Sequence, residues 1–381
     1  MNFRNLDMLR ACLALMVLLG HARWLLWMPW HEWKALPHAT YEWALAAGFS
    51  VFRFGSQAVT VFFSLSGFFI HFRAAAAAAA SPHGQAVFSS KQFLQRRARR
   101  ISPPYYAALI FGLLLDTAGR HFFPEVYTAA TSDALINENF QHSGFTLESV
   151  TPAILAQPGL LGWHFGSNGP LWSIGYEVFY YAIYPLFMVV WMRSRWLAYR
   201  GGLALSASCW FWPLAGWWSA MLVLYPIWLA GALLAEWLAA HRHRPLPKAW
   251  FWGMLVISAG SLAWTELPLA KSLPFLHVPV RMLMGASTIA VFAALPSRLL
   301  DTNAGRLLEW LGIRSYSLYI FHFPVLVLLS SAVFHLLGAR PAHGWFAAAA
   351  ALLAALAGLA AFSLVERHFL PARQDTQPAS P

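Results

Sequence analysis

The stretch Arg10-Ala11-Cys12-Leu13-Ala14-Leu15-Met16-Val17-Leu18-Leu19-Gly20-His21 decides how this chain is read. Apolar residues separate a guanidinium from an imidazole, and the run continues to Met28 with Arg23 as its one further charge. A bilayer core of ~30 Å is crossed by roughly 20 mostly apolar residues in a helix, so a membrane span is expected over Met8–Met28. Eleven helical positions turn through about 1100°, three turns plus about 20°, and rise about 16 Å. Arg10 and His21 therefore project from one face, Arg10 at the membrane edge and His21 deep in line above it. Ionisable groups inside a span are costly and are candidates for function by default. Arginine at the mouth suits an anion anchor. Histidine suits an acid/base group, because its unperturbed pKa lies near neutrality. The plainer alternative is a topology-setting Arg10 and a His21 hydrogen-bonded to a neighbouring helix.

Working outward, the rest of the chain agrees with a membrane body. Of 381 residues, 59% are hydrophobic and only 11% charged, against about 25% charged in a soluble domain. So few charges cannot cover a water-facing surface. The 20 Trp, 29 Phe and 12 Tyr exclude intrinsic disorder, and 2 cysteines, Cys12 and Cys209, exclude a disulfide scaffold. Ten spans are expected, near Met8–Met28, Gln57–Phe72, Pro103–Leu115, Leu171–Met192, Gly202–Leu214, Trp217–Ala240, Trp250–Thr265, Val278–Leu295, Ser315–Leu337 and Gly344–Val365.

The net charge of +11 is carried by short loops between apolar runs, which argues for topology and against nucleic-acid binding. Basic clusters follow the second, fourth, sixth, eighth and tenth spans, for example Arg96–Arg100, Arg193–Arg200 and Arg298–Arg314, and Arg4 and Arg10 precede the first. The alternate loops are poor in Lys and Arg, although Arg53 sits near the second span. An all-α polytopic bundle with both termini cytoplasmic follows, residues 1–370 forming the membrane domain and 371–381 a disordered cytoplasmic tail. Met1–Arg10 lacks the features of a cleaved leader. Ala74–Ala80 reads as a helical extension, and the external segment Thr117–Asn168 is too long to be a mere connector.

Three further segments carry polar chemistry. Arg96-Arg97-Ala98-Arg99-Arg100 stands just before a span; its forks suit phosphate oxygens, although headgroup anchoring would also explain it. In the span beginning Asn168-Gly-Pro-Leu-Trp172-Ser173-Ile-Gly-Tyr176-Glu177, the residues Ser173, Glu177 and Tyr181 recur at i, i+4, i+8 as a polar stripe. Trp172, Tyr176, Tyr180 and Tyr184 form an aromatic stripe beside it. A carboxylate beside aromatic faces suits a sugar; an interfacial aromatic belt is the alternative. Finally, His322 lies six residues into the ninth span, where an interfacial, solvated imidazole is the plain expectation. His71 and His335, near span ends, are read the same way. No Gly-rich phosphate loop, metal-ligand motif or nucleophile elbow is present, so no metal is expected.

Taken together, these segments resemble the acyltransferase-3 family of membrane O-acyltransferases. The resemblance rests on Arg10-x10-His21, Val61-Phe-Phe-Ser-Leu-Ser-Gly-Phe-Phe-Ile70, the Arg-rich block ending Arg100-Ile-Ser-Pro, Trp172-Ser-Ile-Gly-Tyr-Glu177-x-x-Tyr180, and Gly312-Ile-Arg-Ser-Tyr-Ser-Leu-Tyr-Ile-Phe-His-Phe-Pro324. They fall in the family's order and span nearly the whole chain. The resemblance implies ten transmembrane helices in a bacterial plasma membrane. It implies transfer of an acyl group, often acetyl, from cytoplasmic acyl-CoA to a hydroxyl of a cell-surface or secreted carbohydrate. By position, His21 matches the proposed catalytic His, Arg10 the motif Arg, Arg97 and Arg100 the cytoplasmic Arg-x-x-Arg, and Glu177 the motif acid, the second catalytic candidate. Some members add an esterase-like domain outside the membrane; none is expected after Val365.

On that reading Arg10, Arg97 and Arg100 would hold the donor's phosphates, and the pantetheine arm would carry the thioester up to His21. His21 would act either as general base on the acceptor hydroxyl or as an acyl-carrying nucleophile. Glu177, with Trp172, Tyr176, Tyr181 and His322, would contact the sugar from the outer half, and Ser173 or Asn168 would donate to the developing oxyanion. The main rival is a multi-pass transporter or exporter of a small polar or glycan substrate, which would also line a path with Arg, His and Glu but commonly shows repeated halves. A lipid-linked glycosyltransferase would want paired acids in an early external loop, where only Glu32 and Glu42 stand.

Overall fold

A segment in lipid must satisfy its own backbone N–H and C=O groups, and a helix does so within one stretch of chain. The computed structural model describes residues 3–81, 88–159, 161–211, 217–241 and 247–370. Among them it contains helices and no strand, with one β-bridge between Gly144 and Phe165. In chain order the α-helices are α1 (Arg4–Leu26), α2 (Trp30–Trp33), α3 (Thr40–Ser50), α4 (Gly55–Ala80), α5 (Ser90–Phe122), α6 (Ala134–Phe140), α7 (Leu147–Ile154) and α8 (Trp172–Arg193). They continue as α9 (Arg195–Phe211), α10 (Trp217–Ala240), α11 (Lys248–Trp264), α12 (Pro268–Ser272), α13 (His277–Ala294), α14 (Asn303–Ile313), α15 (Ser315–Leu337) and α16 (Trp345–Leu364).

Seven helical stretches among the described residues are long and apolar enough to cross a membrane: Arg4–Leu26, Thr40–Ala80, Gly169–Arg193, Met221–Ala240, Pro274–Ala294, Ser315–Leu337 and Trp345–Leu364. The spans expected at Pro103–Leu115, Gly202–Leu214 and Trp250–Thr265 fall on α5, α9 and α11, outside those seven. Helices α9 and α11 have 17 residues each, about 25 Å of helix against a ~30 Å core. Helix α5 has 33 residues but spends its first turns on the arginine cluster and carries Asp116 and Arg120 further on. It begins at Ser90, where the Ser89 hydroxyl caps the Gln92 N–H at 3.4 Å, and runs through Pro103 and Pro104 instead of starting there. Ala74–Ala80 does extend α4 as a helix. The long segment after α5 folds into α6 and α7. Residues 212–214 of the fifth expected span and the tail 371–381 lie outside the described residues.

Two devices hold the bundle together around the site. The first is close backbone approach between α4 and α10. A Cβ on Gly67 would lie 2.0 Å from the Trp228 carbonyl oxygen, and one on Gly231 would lie 1.8 Å from the Ser64 carbonyl oxygen. Small residues are what permit such packing in lipid, where burial from water gives no drive between helices. The Ser64 hydroxyl adds a hydrogen bond to the Ile227 carbonyl at 2.9 Å. The second device concerns Pro324 in α15. Proline lacks an N–H and leaves the carbonyl four residues earlier without its helical donor. That carbonyl belongs to Ile320, and buried Asn168 donates to it through Nδ2 at 3.0 Å. The loop before α8 is pinned to α15 in this way, and Asp116 pins it to α5 by accepting from the Ser167 N–H (2.6 Å) and hydroxyl (2.7 Å).

Large apolar side chains stay exposed along the outer helices, among them Ile110, Leu114, Leu186, Val256, Leu352 and Leu356. So much exposed apolar surface is the signature of a lipid-facing wall. The chain is a multi-pass helical membrane protein.

Candidate active site

Helix α1 runs past two cavities in succession. Beside its first turns lies a cavity of about 330 Å³, lined by Asp7, Arg10, Arg97, Arg100, Ser66, Ser173, Glu177, Tyr181, Tyr316 and Tyr319 among others. Beside its last turns lies a cavity of about 1010 Å³, lined by His21, Arg23, Trp24, Glu138, Asn139, His142, Trp163, His164, Trp172 and Tyr319 among others. Arg10 thus faces the first cavity and His21 the second, the vertical offset on one helix face that their spacing dictates. Val59 and Tyr319 line both cavities. They form the partition between the arginine cavity and the histidine cavity.

The arginine cavity gathers three guanidinium groups and two carboxylates. In α5 the four guanidinium groups divide by helical face: Arg97 and Arg100, three positions apart, line the cavity, while Arg96 and Arg99 are exposed. Arg97 sits 5.8 Å from the centroid of Phe93 and 5.9 Å from that of Tyr181, and its buried Nε has no hydrogen-bond partner. The rings fix the fork and leave donors unspent. Arg10 has Asp7 as a distant partner at 3.6 Å. At the end of α16, Glu366 is fully buried and accepts from the Ser317 N–H (3.1 Å) and hydroxyl (2.6 Å). Burial pushes its carboxyl up from the usual range, against the pull of Ser317, Arg100 and Arg10.

Glu177 also lines the arginine cavity, with Ser66 donating to it at 3.2 Å and the Tyr181 hydroxyl donating closely. It was expected in the outer half with the sugar; the structure instead groups Glu177 and Tyr181 with the arginines. The aromatic stripe divides as well. Trp172 lines the histidine cavity. Tyr176 is buried against Phe63 at 5.6 Å and lines neither cavity, and Tyr180 and Tyr184 pack inward toward Trp228. Ser173 faces the arginine cavity, its hydroxyl 2.8 Å from that of Tyr319 and 3.1 Å from the Pro170 carbonyl. Asn168 is spent on Ile320 and lines neither cavity.

The largest departure from expectation is His322. It is not solvated but 1% exposed, and its Nε2 lies 2.9 Å from Nδ1 of His21 with the two rings nearly parallel, 7° apart. Its other nitrogen, Nδ1, lies 2.6 Å from the Tyr319 carbonyl oxygen. A carbonyl only accepts, so the neutral His322 carries its proton on Nδ1 and offers a lone pair at Nε2. That lone pair requires a proton on Nδ1 of His21. The relay Tyr319 O to His322 to His21 therefore leaves the lone pair of His21 on Nε2, the tautomer-setting role that a partner on the second nitrogen plays in acid/base sites. His71, also read as a solvated end, is fully buried between Tyr184 (3.1 Å) and Glu236 (3.0 Å). Tyr319 is not singled out by the sequence, although it stands three residues before His322 and so on the same side of the helix.

No curated protein and no solved structure matches the chain. A family model described as an acyltransferase domain matches residues 3–364. With a helical membrane bundle, an arginine-lined pocket and a histidine poised by a second histidine, the chain belongs to the acyltransferase-3 family and is an acyltransferase that moves groups other than aminoacyl groups.

Proposed function

We propose that this enzyme transfers an acyl group, acetyl foremost, from a cytoplasmic coenzyme A thioester to a carbohydrate hydroxyl on the other side of a bacterial inner membrane. The observation that carries this reading is the pair of cavities along α1, one lined by three guanidinium groups and the other by His21, meeting at Tyr319 and Val59. A polyanionic donor suits Arg10, Arg97 and Arg100, since forks bind phosphate oxygens two at a time. The thioester, at the end of a flexible arm, reaches the partition from the arginine side. The acceptor enters the larger cavity, where Trp24, Trp163 and Trp172 offer faces to a sugar ring and Glu138 and Asn139 offer hydrogen bonds to its hydroxyls.

In the transfer, Nε2 of His21 takes the proton of the acceptor hydroxyl as its oxygen attacks the thioester carbonyl carbon. The carbon–sulfur bond then breaks, and the thiol leaves with the proton returned from His21. The Tyr319 hydroxyl, held by Ser173, stands at the partition where the carbonyl would arrive. Glu177 and Tyr181 line the donor's route on this account, and His322 acts through His21 as a positioning residue. The proposed topology has ten spans with both termini in the cytoplasm; α5, α9 and α11 supply the three spans beyond the seven, supported by the side on which the basic loops fall.

The test is purified protein in liposomes given labelled acetyl-CoA and a glycan panel, with products read by mass spectrometry. Labelled glycan is the expected product, and His21→Ala, still inserted and folded, should make none. A fully active His21→Ala enzyme would remove the mechanism. Glycan movement without any acyl donor would favour the transporter.

A further inference from the structure

Charge around the histidine cavity is one-sided. Arg23, Arg53 and three imidazoles line it against one carboxylate, that of Glu138. Arg53 is already committed, paired with Glu266 at 3.2 Å. Arg23 is not. It is partly buried near the end of α1, and its guanidinium rests 5.7 Å from the centroid of the Trp27 ring. No carboxylate pairs with it among the described residues. A like charge also acts on it, that of Arg340, whose own partner is Asp133. A guanidinium taken partly out of water without a counter-charge is unfavourable until one is supplied.

We propose that Arg23 forms an anion subsite in the histidine cavity, so that the acceptor carries a carboxylate or phosphate as well as the hydroxyl that is acylated. This rests on reading that cavity as the acceptor's. On α1, Arg23 and His21 flank the cavity-facing side on which Gly20 and Trp24 stand. An acid group gripped at one edge would hold the ring across Trp24 and direct a hydroxyl at the other edge toward His21. The fork geometry suits two oxygens of one anion.

The test uses the full-length protein in liposomes with acetyl-CoA on the arginine side. It compares three oligosaccharides alike except for the terminal residue: glucose, glucuronate, or glucose 6-phosphate. A charged acceptor should be acetylated with kcat/KM about tenfold or more above the neutral one, the size of one charge-assisted contact, and the two charged arms tell carboxylate from phosphate. Arg23→Gln should bring the charged-to-neutral ratio near one, and Arg23→Lys should keep part of it. Equal rates on all three acceptors, or a ratio that Arg23→Gln leaves unchanged, overturns the subsite while the acyltransfer reading stands. Absence of transfer to all three overturns that reading and the subsite with it.

Discussion

A lone pair on Nε2 of His21 exists only because His322 accepts from the other nitrogen, and His322 accepts only because a backbone carbonyl holds its proton on Nδ1. His322→Ala should therefore lower kcat by about 100-fold or more, within the range that acid/base catalysis contributes. The KM for the donor should hardly move, because the arginine cavity is untouched; steady-state rates across acetyl-CoA concentrations separate the two. Glu366 gives a pH effect at the same scale. Its folded pKa is raised by burial, so the folded state holds its proton more tightly than the unfolded one. The stability this provides is full below the unfolded value of about 4.3 and is lost as pH rises through the folded value. Glu366→Gln, which keeps an acceptor for Ser317, should raise the melting temperature at pH 7. The gain over wild type should shrink as the pH falls toward 4, as thermal unfolding in detergent would record.

At the scale of elements, α5 sorts its own arginines. Arg97→Ala with Arg100→Ala should raise the donor's KM about tenfold or more, the usual weight of lost charge-assisted contacts, while Arg96→Ala with Arg99→Ala should change it little. Unchanged donor affinity in the first variant would reassign both residues to topology. Along α15, Asn168→Ala would leave the Ile320 carbonyl buried without a donor, at a cost of about 1–3 kcal/mol, visible as a lower melting temperature. These elements also show how far the sequence could be read. The shared face of Arg10 and His21 follows from helical period alone, and the bounds of α15 from the length of its apolar run. The start of α5 does not, because a Pro-Pro pair reads as the first turn of a helix and here sits mid-helix. The pairing of His21 with His322 joins positions 301 apart, and nothing local announces it. Glu177 was placed with the sugar because its neighbours are aromatic, yet three of those four rings turn inward to fill the core. Only tertiary packing decides which side of a polar stripe meets which cavity.

For the whole molecule, the proposed sidedness is directly measurable. In a background without Cys12 and Cys209, single cysteines at Lys91, beside the arginine cluster, and at Leu147, which is 82% exposed on the far segment, should react with a membrane-impermeant maleimide from opposite faces of intact cells. Leu147→Cys should be labelled from outside and Lys91→Cys only after lysis; labelling of both from one face would undo the two-sided arrangement. The close contact of Gly67 with Trp228 and of Gly231 with Ser64 sets the spacing on which both cavities depend, so bulk there would damage donor and acceptor functions together.

The thin wall of Val59 and Tyr319 carries its own corollary. An enzyme that serves two compartments must not become a leak between them. On the proposed reading, that wall would keep a coenzyme donor on the arginine side, too large to follow its cargo past Val59 and Tyr319. On the same reading only a fragment of a few atoms would change compartments, handed over rather than carried through.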